Sequence, residues 1–216
     1  MDVYEAIKNR RSIRKYLQAP VEWDKIGQIL EAGKAAPSCG NLQDWRFIVI
    51  LDQKKREQIA ESCMQQHWMA RAPVHIIVVG EPEKSKRFYG IRGERLYTIQ
   101  DCAAAVQNML LMAHALGLGS CWIGAFDEDA LRNLVSMPNE IRPQAIVTIG
   151  YADEQPPEPP EYTLENIMYF REYGGQGNRV KDIPKYSGDY AERIQRTAGK
   201  GKDIFSRMMN KLQLKK

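Results

Sequence analysis

Residues 10–14 read Arg-Arg-Ser-Ile-Arg and place three guanidinium groups and one hydroxyl within five positions. Just upstream, Asp2 and Glu5 have the spacing of a helix capping box, which predicts a first helix from Val3 to Asn9. The arginines then fall at the end of that helix and in the loop that follows it. Planar guanidinium groups match phosphate oxygens better than ammonium groups do, so the segment favours a dianionic ligand. A solvated basic turn is the alternative that these five residues alone leave open.

A second segment, residues 36–47, reads Ala-Pro-Ser-Cys-Gly-Asn-Leu-Gln-Asp-Trp-Arg-Phe. Its Pro, Ser, Gly and Asn residues predict a loop, and the apolar run Phe47–Leu51 predicts a buried strand. Ser38, Asn41 and Gln43 carry hydroxyl and amide groups that can hydrogen-bond the edge of a heterocycle. An ordinary loop with Asx turns explains the same residues equally well when the segment is taken alone.

A third segment reads Gly117-Leu-Gly-Ser-Cys-Trp-Ile-Gly-Ala-Phe-Asp127 and follows a long helix predicted from Tyr97 to Leu116. Gly117 is suited to ending that helix, and Gly124 allows backbone amides to approach a planar ligand closely. The segment is not a dinucleotide-binding fingerprint. Trp122 stands where the third glycine is needed, and the segment leaves a helix rather than beginning one.

In this order and at this spacing, the three segments resemble the nitroreductase family of flavoproteins. The resemblance spans residues 2–170 and reaches a strand predicted at Gln144–Tyr151. It implies an α+β fold, with a central and mostly antiparallel sheet flanked by helices, in an intertwined homodimer. It also implies a non-covalently held FMN at the dimer interface, in two equivalent sites that each draw on both chains. Residues 1–170 would then form the FMN-binding domain and residues 171–216 a basic extension.

The resemblance also assigns cofactor-binding residues in each segment. The family's phosphate and flavin-edge ligands are matched by Arg10, Arg11, Ser12 and Arg14. The loop that lies against the flavin from the other subunit is matched by Pro37, Ser38, Asn41 and Gln43. The backbone amides near flavin N5 and O4 are matched by Ile123 and Gly124. Trp122 stands where many relatives have proline, so its role is open.

Two further features of the resemblance concern the phosphate and the substrate. Relatives tend to carry a basic residue after the last strand, whereas residues 156–165 contain no Lys or Arg, which leaves that phosphate contact open. Residues 81–95 are expected to break between the strand His75–Gly80 and the long helix, in a region that lines flavin access in relatives. The substrate-contact candidates are Cys39, Arg87, Phe88, Tyr89 and Arg92. An exposed charged loop is the alternative for residues 81–95.

The activity implied by the resemblance is oxidation of NADH or NADPH with reduction of an electron-poor acceptor. Hydride would pass to flavin N5, the nicotinamide would leave, and a nitroaromatic or quinone would then be reduced in a ping-pong sequence. The alternative is a flavin-binding carrier, sensor or flavin-consuming protein without nicotinamide turnover. No Ser/His/Asp arrangement or paired-carboxylate motif stands out in the sequence. No side chain is therefore assigned a catalytic role, and the chemistry is expected to be borne by the flavin.

Composition predicts one sizeable core, because 44% of the 216 residues are hydrophobic. No run approaches the roughly 18 apolar residues of a membrane span, and the charged N-terminus predicts no signal peptide. The four cysteines lack metal-binding spacing, so no metal site is predicted, and Cys102 and Cys121 are expected to be buried thiols. A reducing cytoplasm is the expected location. His75 and His114 are expected to be structural and His67 exposed.

Basic charge is concentrated in residues 171–216, which contain 12 Lys or Arg against 5 Asp or Glu, a net charge of +7, whereas the whole chain carries +4. Residues 203–216 predict an amphipathic helix whose apolar face consists of Ile204, Phe205, Met208, Met209 and Leu212. This helix could pack on the dimer, contact an anionic membrane or a partner, or remain a solvated tail. Nothing resembles a nucleic-acid recognition motif, so nucleic-acid binding is not predicted.

Overall fold

A computed structural model describes residues 1–169 and 172–174. The chain divides into two compact units, Met1–Glu158 and a second that begins at Pro159. The described helices of the first unit are α1 (Val3–Asn9), α2 (Trp23–Lys34), α3 (Gln53–Ser62), α4 (Pro82–Arg92), α5 (Thr98–Ala115) and α6 (Glu128–Leu134). Its strands are β1 (Trp45–Ile50), β2 (Val74–Gly80), β3 (Gly119–Ile123) and β4 (Arg142–Gly150). The second unit contains α7 (Leu164–Ile167), and the helix predicted at 203–216 lies outside the described residues.

The four strands form one antiparallel sheet in the order β1-β2-β4-β3. Its register places Ile48 opposite Ile77, and Ile77 opposite Ile146. Every residue of β2 is buried, in agreement with its apolar run at 76–79. The predicted α+β fold, with an antiparallel sheet flanked by helices, is confirmed. The intertwined dimer and the domain boundary at residue 170 remain predictions.

In the described part of the chain, helices cover both faces of the sheet, and a hydrophobic core lies on each face. On one face, α2 and α5 pack against β1, β2 and β4. On the other face, α3 and α6 pack over a cluster that includes Ile77, Cys121 and Ile146. The buried stripe of α5 contains Cys102, Val106, Met109 and Ala113, at the spacing of a helix face. Burial of Cys102 and Cys121 agrees with their prediction as core thiols.

The expected break at residues 81–95 is wrong, because this segment is helical. It forms α4, which is interrupted at Gly90, and then a π-helical turn, Gly93–Tyr97, that leads directly into α5. Pro82 lies in the first turn of α4, where its missing amide costs nothing. Lys86 pairs with both Glu83 and Glu94, which ties the two turns together. The segment lacks an apolar period, and the sequence therefore did not indicate a helix.

The described helices include none that combines the length and apolar character needed to cross a membrane. α5 is the longest of them, with 18 residues. Its buried face also carries Thr98 and Asp101. These polar groups contact the loop before β1, and they bear on the candidate site.

Candidate functional site

Main-chain hydrogen bonds hold the arginine segment, residues 10–14, along the free edge of β3. The capping box of Asp2 and Glu5 is present at the start of α1, which ends at Asn9 and delivers the chain to this edge. Ser12 forms a parallel bridge with Ser120, and the amide of Ile13 donates to the Ser120 carbonyl at 3.0 Å. The position of the segment is therefore set by the sheet rather than by a mobile turn.

Glycine at position 119 allows this close approach. A Cβ atom there would lie 2.8 Å from Cγ1 and 2.9 Å from Cβ of Ile13. Such distances are not tolerated, and any larger residue at position 119 would push the arginine segment away from β3. Gly119 belongs to the third sequence segment, and its contact with Ile13 joins residues too far apart in the chain to have a local sequence signal.

Arg10, Ser12 and Arg14 lie close to the thiol of Cys121 in β3. Burial raises the pKa of this thiol, and the charge of Arg14, the nearby hydroxyl of Ser12 and the charge of Arg10 oppose that rise. Within residues 1–169 and 172–174, the guanidinium groups of Arg10 and Arg14 form neither hydrogen bonds nor ion pairs. Their positive charges therefore remain available to a ligand.

Arg11 differs from the other two arginines because its guanidinium group is used within the chain. Its Nη1 donates to the carbonyl oxygens of Lys8 at 2.6 Å and Arg10 at 3.0 Å. Its Nη2 lies 3.9 Å from the Glu158 carboxylate. These contacts keep Arg11 at the end of α1 and leave it fewer free donors than Arg14.

A cavity of about 500 Å³ lies between the arginine segment and the turn from α5 to β3. Its lining includes Arg11, His114 and Ser120. Ser120 is 2% exposed, and neither its hydroxyl nor Nε2 of His114 has a hydrogen-bond partner among the described residues. Buried polar groups are normally hydrogen-bonded, so both atoms are suited to the oxygens of a ligand. Burial, followed by the charges of Arg10 and Arg11, lowers the pKa of His114 and favours its neutral form.

Glu154 also lines this cavity and was not identified from the sequence. Its Oε1 accepts hydrogen bonds from the backbone amides of Arg14 and Lys15. These two donors offset part of its negative charge and fix the carboxylate beside the arginine segment. The sequence gives no local signal for this contact, because Glu154 and Arg14 are 140 positions apart.

The loop at residues 38–43 is held in a compact, strained conformation. The hydroxyl of Ser38 accepts the amide of Gln43 at 2.9 Å, and Nε2 of Gln43 donates to Oδ1 of Asn41 at 3.1 Å. Gly40, Asn41 and Gln43 have positive φ angles of 52°, 57° and 51°. The Asn41 and Gln43 side chains are exposed, as is Pro37. The loop therefore presents amide groups to the surface from a fixed backbone.

The expected flavin site has two parts, the loop at residues 38–43 and the arginine segment, and these lie near opposite ends of α5. The amide of Cys39 donates to both carboxylate oxygens of Asp101, in the first turn of that helix, at 3.0 Å. The arginine segment instead approaches His114, in the last turn. These helix positions are roughly 20 Å apart at about 1.5 Å per residue. Within one chain, the structure does not bring the two parts together.

Ile123 and Gly124 lie where β3 ends, on the same strand that pairs with the arginine segment. Ile123 is buried and Gly124 is exposed. A Cβ at position 124 would meet only Nε1 of Trp122, at 3.8 Å. The Gly124 backbone is therefore open to a flat ligand.

The four substrate candidates of α4 fall into two groups. Arg87 and Phe88 are exposed, and Phe88 is 68% exposed despite its large apolar ring. Tyr89 instead stacks edge-on against Tyr97 at 5.3 Å between ring centroids, and Nε of Arg92 donates to the Tyr97 hydroxyl at 3.0 Å. Arg87 and Phe88 are thus the members with side chains most open to a substrate.

Two further titratable side chains of the described residues, His75 and Cys39, are uncharged at neutral pH. Burial lowers the pKa of His75 to about 4, and its Nε2 lies 2.8 Å from the Met69 carbonyl. Burial raises the pKa of Cys39, so its thiol is neutral rather than nucleophilic at neutral pH. Among the described residues, no three His, Cys, Asp or Glu side chains are grouped as a metal site.

Three features together define a nitroreductase-type flavoprotein fold. They are the sheet order, the pairing of the arginine segment with β3, and the glycine that follows β3. The model of the nitroreductase family matches residues 7–68 and 62–151. This chain belongs to the nitroreductase family.

Individual relatives are similar over most of their length. A protein of Methanothermobacter thermautotrophicus, named for NADH dehydrogenase and NAD(P)H nitroreductase activity, is 40% identical over 160 residues, which cover 72% of this chain and 80% of that protein. The FMN reductase [NAD(P)H] of Bacillus subtilis is 26% identical over 217 residues, covering 92% of this chain and 86% of the relative. A solved structure of an FMN-dependent nitroreductase from Clostridium difficile has a TM-score of 0.69 and 28% sequence identity to this chain; the match covers 79% of this chain and 100% of that chain.

Proposed function

We propose that this protein is an FMN-dependent oxidoreductase that oxidises NADH or NADPH and reduces an electron-poor acceptor such as a nitroaromatic or quinone. The observation that carries the proposal is the pair of available guanidinium groups, Arg10 and Arg14, in the same short segment as Arg11 and Ile13, which line a cavity with unpartnered polar atoms. The FMN-named and NAD(P)H-named relatives support the same cofactor and reductant.

The residues fit the cofactor at both its charged and its planar ends. Arg10 and Arg14 would neutralise the phosphate dianion, and Ser120 and His114 would donate hydrogen bonds to ligand oxygens. The open backbone at Gly124 would accommodate the flat ring. When bound, FMN supplies the hydride-transfer chemistry, and these residues bind and orient it. Ser12, Arg11 and Ile123 complete the proposed set on this side.

We further propose that the complete site requires a homodimer. The loop carrying Pro37, Ser38, Asn41 and Gln43 is too far along α5 from the arginine segment to share one flavin within a chain. A second copy can bring its own loop to that flavin, which gives two equivalent sites by symmetry. α1 exposes the apolar side chains of Val3, Tyr4 and Ile7, which a second copy of the chain could also cover.

Dilution to nanomolar concentration is expected to release the flavin whenever it yields monomers. Each monomer would retain only one of the two parts of the site, so FMN retention and dimer content should fall together. Analytical ultracentrifugation with fluorescence detection of a dye-labelled protein measures the dimer content, and the fluorescence of released flavin measures FMN retention. A folded monomer that keeps its flavin would contradict the shared site.

Anaerobic mixing with NADH or NADPH tests the activity directly. The purified protein should be yellow, and at least one nicotinamide should bleach the flavin absorbance within seconds. Addition of a quinone or nitroaromatic to the reduced protein should then restore the colour, as a ping-pong sequence requires. A yellow protein that neither nicotinamide reduces would instead favour a flavin carrier or sensor. The observation that favours this second function is the absence of Lys and Arg from residues 156–165, where relatives tend to carry a basic residue.

A further inference from the structure

A buried pair of carboxyl groups lies beneath the loop at residues 38–43. Asp44, immediately after the loop, is fully buried, and Asp101 of α5 is 6% exposed. Thr98, which donates to Asp44, lies three positions before Asp101 on the buried face of α5, so the two carboxyl groups are neighbours across one helix turn. Two carboxylates at such a distance away from water strongly disfavour being ionised together. None of the residues proposed to bind flavin neutralises them.

The hydrogen bonds of the pair leave one oxygen without a partner. Oδ2 of Asp44 accepts from the hydroxyls of Ser85, at 2.5 Å, and Thr98, at 2.7 Å. Oδ1 of Asp44 is buried and has no hydrogen-bond partner within the described part of the chain. Asp101 uses its oxygens to accept the Cys39 amide. A proton on one Asp101 oxygen would satisfy Oδ1 of Asp44 while the other oxygen still accepts from Cys39.

We propose that Asp44 and Asp101 share a single proton and that this pair positions the loop at residues 38–43 for flavin binding. The pair joins three elements: the loop through Cys39, α4 through Ser85, and α5 through Thr98 and Asp101 itself. The positioning role rests on the proposed function, in which the loop contacts FMN, whereas the shared proton does not depend on it. Asp44 and Asp101 are positioning residues because they act through the loop backbone.

The charges around the pair determine how its protonation should affect stability. Burial raises the pKa of Asp101, the Cys39 hydrogen bonds oppose this rise, and the Asp44 carboxyl adds to it. The facing thiols of Cys39 and Cys102 also have raised pKa values, mainly through burial, and carry no charge at neutral pH. The nearby cation on α4, Lys84, is directed to the Gln43 carbonyl at 3.5 Å.

The sign of the pH dependence follows from the raised pKa. The unfolded chain loses the proton at the ordinary aspartate pKa of 3.8, whereas the folded chain keeps it to higher pH. The contribution to stability is therefore fully present below pH 3.8 and is lost as pH rises through the raised pKa. His75, whose pKa is lowered to about 4, acts in the opposite direction between that value and its ordinary 6.5. The contribution of His75 is the same in variant and parent, so it cancels when their stabilities are subtracted at each pH.

Asn substitutions mimic the shared proton and provide the test. In Asp101→Asn the amide oxygen accepts from Cys39 and the NH2 donates to Asp44; in Asp44→Asn the NH2 donates to Asp101. Either variant should gain stability relative to the parent as pH rises from 4 to 8, by about tenfold in the folding equilibrium for each unit by which the pKa is raised. Urea unfolding at each pH measures the gain. Asp129→Asn, at a side chain 94% exposed, is the matched control and should follow the parent.

Three outcomes would overturn the shared proton. In the first, the stability of both Asn variants follows that of the parent at every pH. In the second, both variants are less stable than the parent at every pH, as expected if the two carboxylates bind a cation. In the third, Asp129→Asn gains as much stability with pH as the Asn variants. Asp101→Ala removes the acceptor of Cys39 and should weaken FMN binding about tenfold, while Asp101→Asn retains parental affinity. Hydrogen exchange of the Cys39 amide should rise in the Ala variant only. Faster exchange with unchanged FMN affinity would overturn the positioning role and remove the loop from the flavin site, without altering the stability result.

Discussion

Arg14→Ala should weaken FMN binding by about ten- to a hundredfold. Hydrogen bonds to a charged group contribute roughly 1.5–3 kcal/mol each, and about 1.4 kcal/mol corresponds to a factor of ten in affinity. The guanidinium group of Arg14 is exposed and has no other partner in the described residues, so its loss removes ligand contacts without breaking contacts of the fold. Flavin fluorescence during titration of the apoprotein measures the dissociation constant.

Riboflavin and Lys15→Ala are the controls for this experiment. Riboflavin lacks the phosphate and should bind Arg14→Ala and the parent almost equally. Lys15 is adjacent and exposed, and its amide also donates to Glu154, so its replacement removes a positive charge while retaining the backbone contact. Equal weakening of riboflavin and FMN by Arg14→Ala would show that Arg14 supports the fold rather than the phosphate.

The strongest local patterns in the sequence predicted the main elements closely. The capping box of Asp2 and Glu5 placed α1 at its observed bounds, and the apolar period of the long helix placed α5 within one residue at each end. Both patterns are short-range, because a cap or a helix face involves residues at most a few positions apart. The arginine segment was correctly expected to follow α1, although its parallel bridge to Ser120 joins residues 108 positions apart and has no local signal.

The buried polar contacts could not be predicted for the same reason. Asp44 appeared in the sequence as one polar residue of a loop, and only the fold places it against Ser85, Thr98 and Asp101. The helical state of α4 likewise depends on tertiary contacts. A Cβ atom at position 93 would lie only 2.4 Å from the Ser85 carbonyl oxygen. Only glycine at position 93 therefore allows the π-helical turn to pack against α4. The substrate candidates were identified from family resemblance, which gives a region but not the direction of each side chain.

Gly40→Ala should destabilise the protein by about 2–5 kcal/mol, because the substitution introduces both backbone strain and a steric clash. The positive φ of Gly40 costs an L-residue roughly 1–2 kcal/mol. The new Cβ would lie 2.4 Å from the Tyr89 hydroxyl oxygen, and such overpacking costs roughly 1–3 kcal/mol more. Urea unfolding of the single variant measures the combined effect.

Tyr89→Phe separates the two contributions. Without the hydroxyl, the nearest ring atom of residue 89 is Cζ, 3.4 Å from the new Cβ, which is an ordinary contact. In the Tyr89→Phe background, Gly40→Ala should therefore lower the free energy of unfolding only by the backbone strain, about 1–2 kcal/mol. The difference from its effect in the parent background is the coupling energy between α4 and the loop. Gly117→Ala is the matched control, because Gly117 also has a positive φ, of 75°, but nothing within 4 Å of its Cβ position. Its cost should be the same in both backgrounds. If Tyr89→Phe does not relieve Gly40→Ala, the Tyr89 hydroxyl does not hold α4 against this loop.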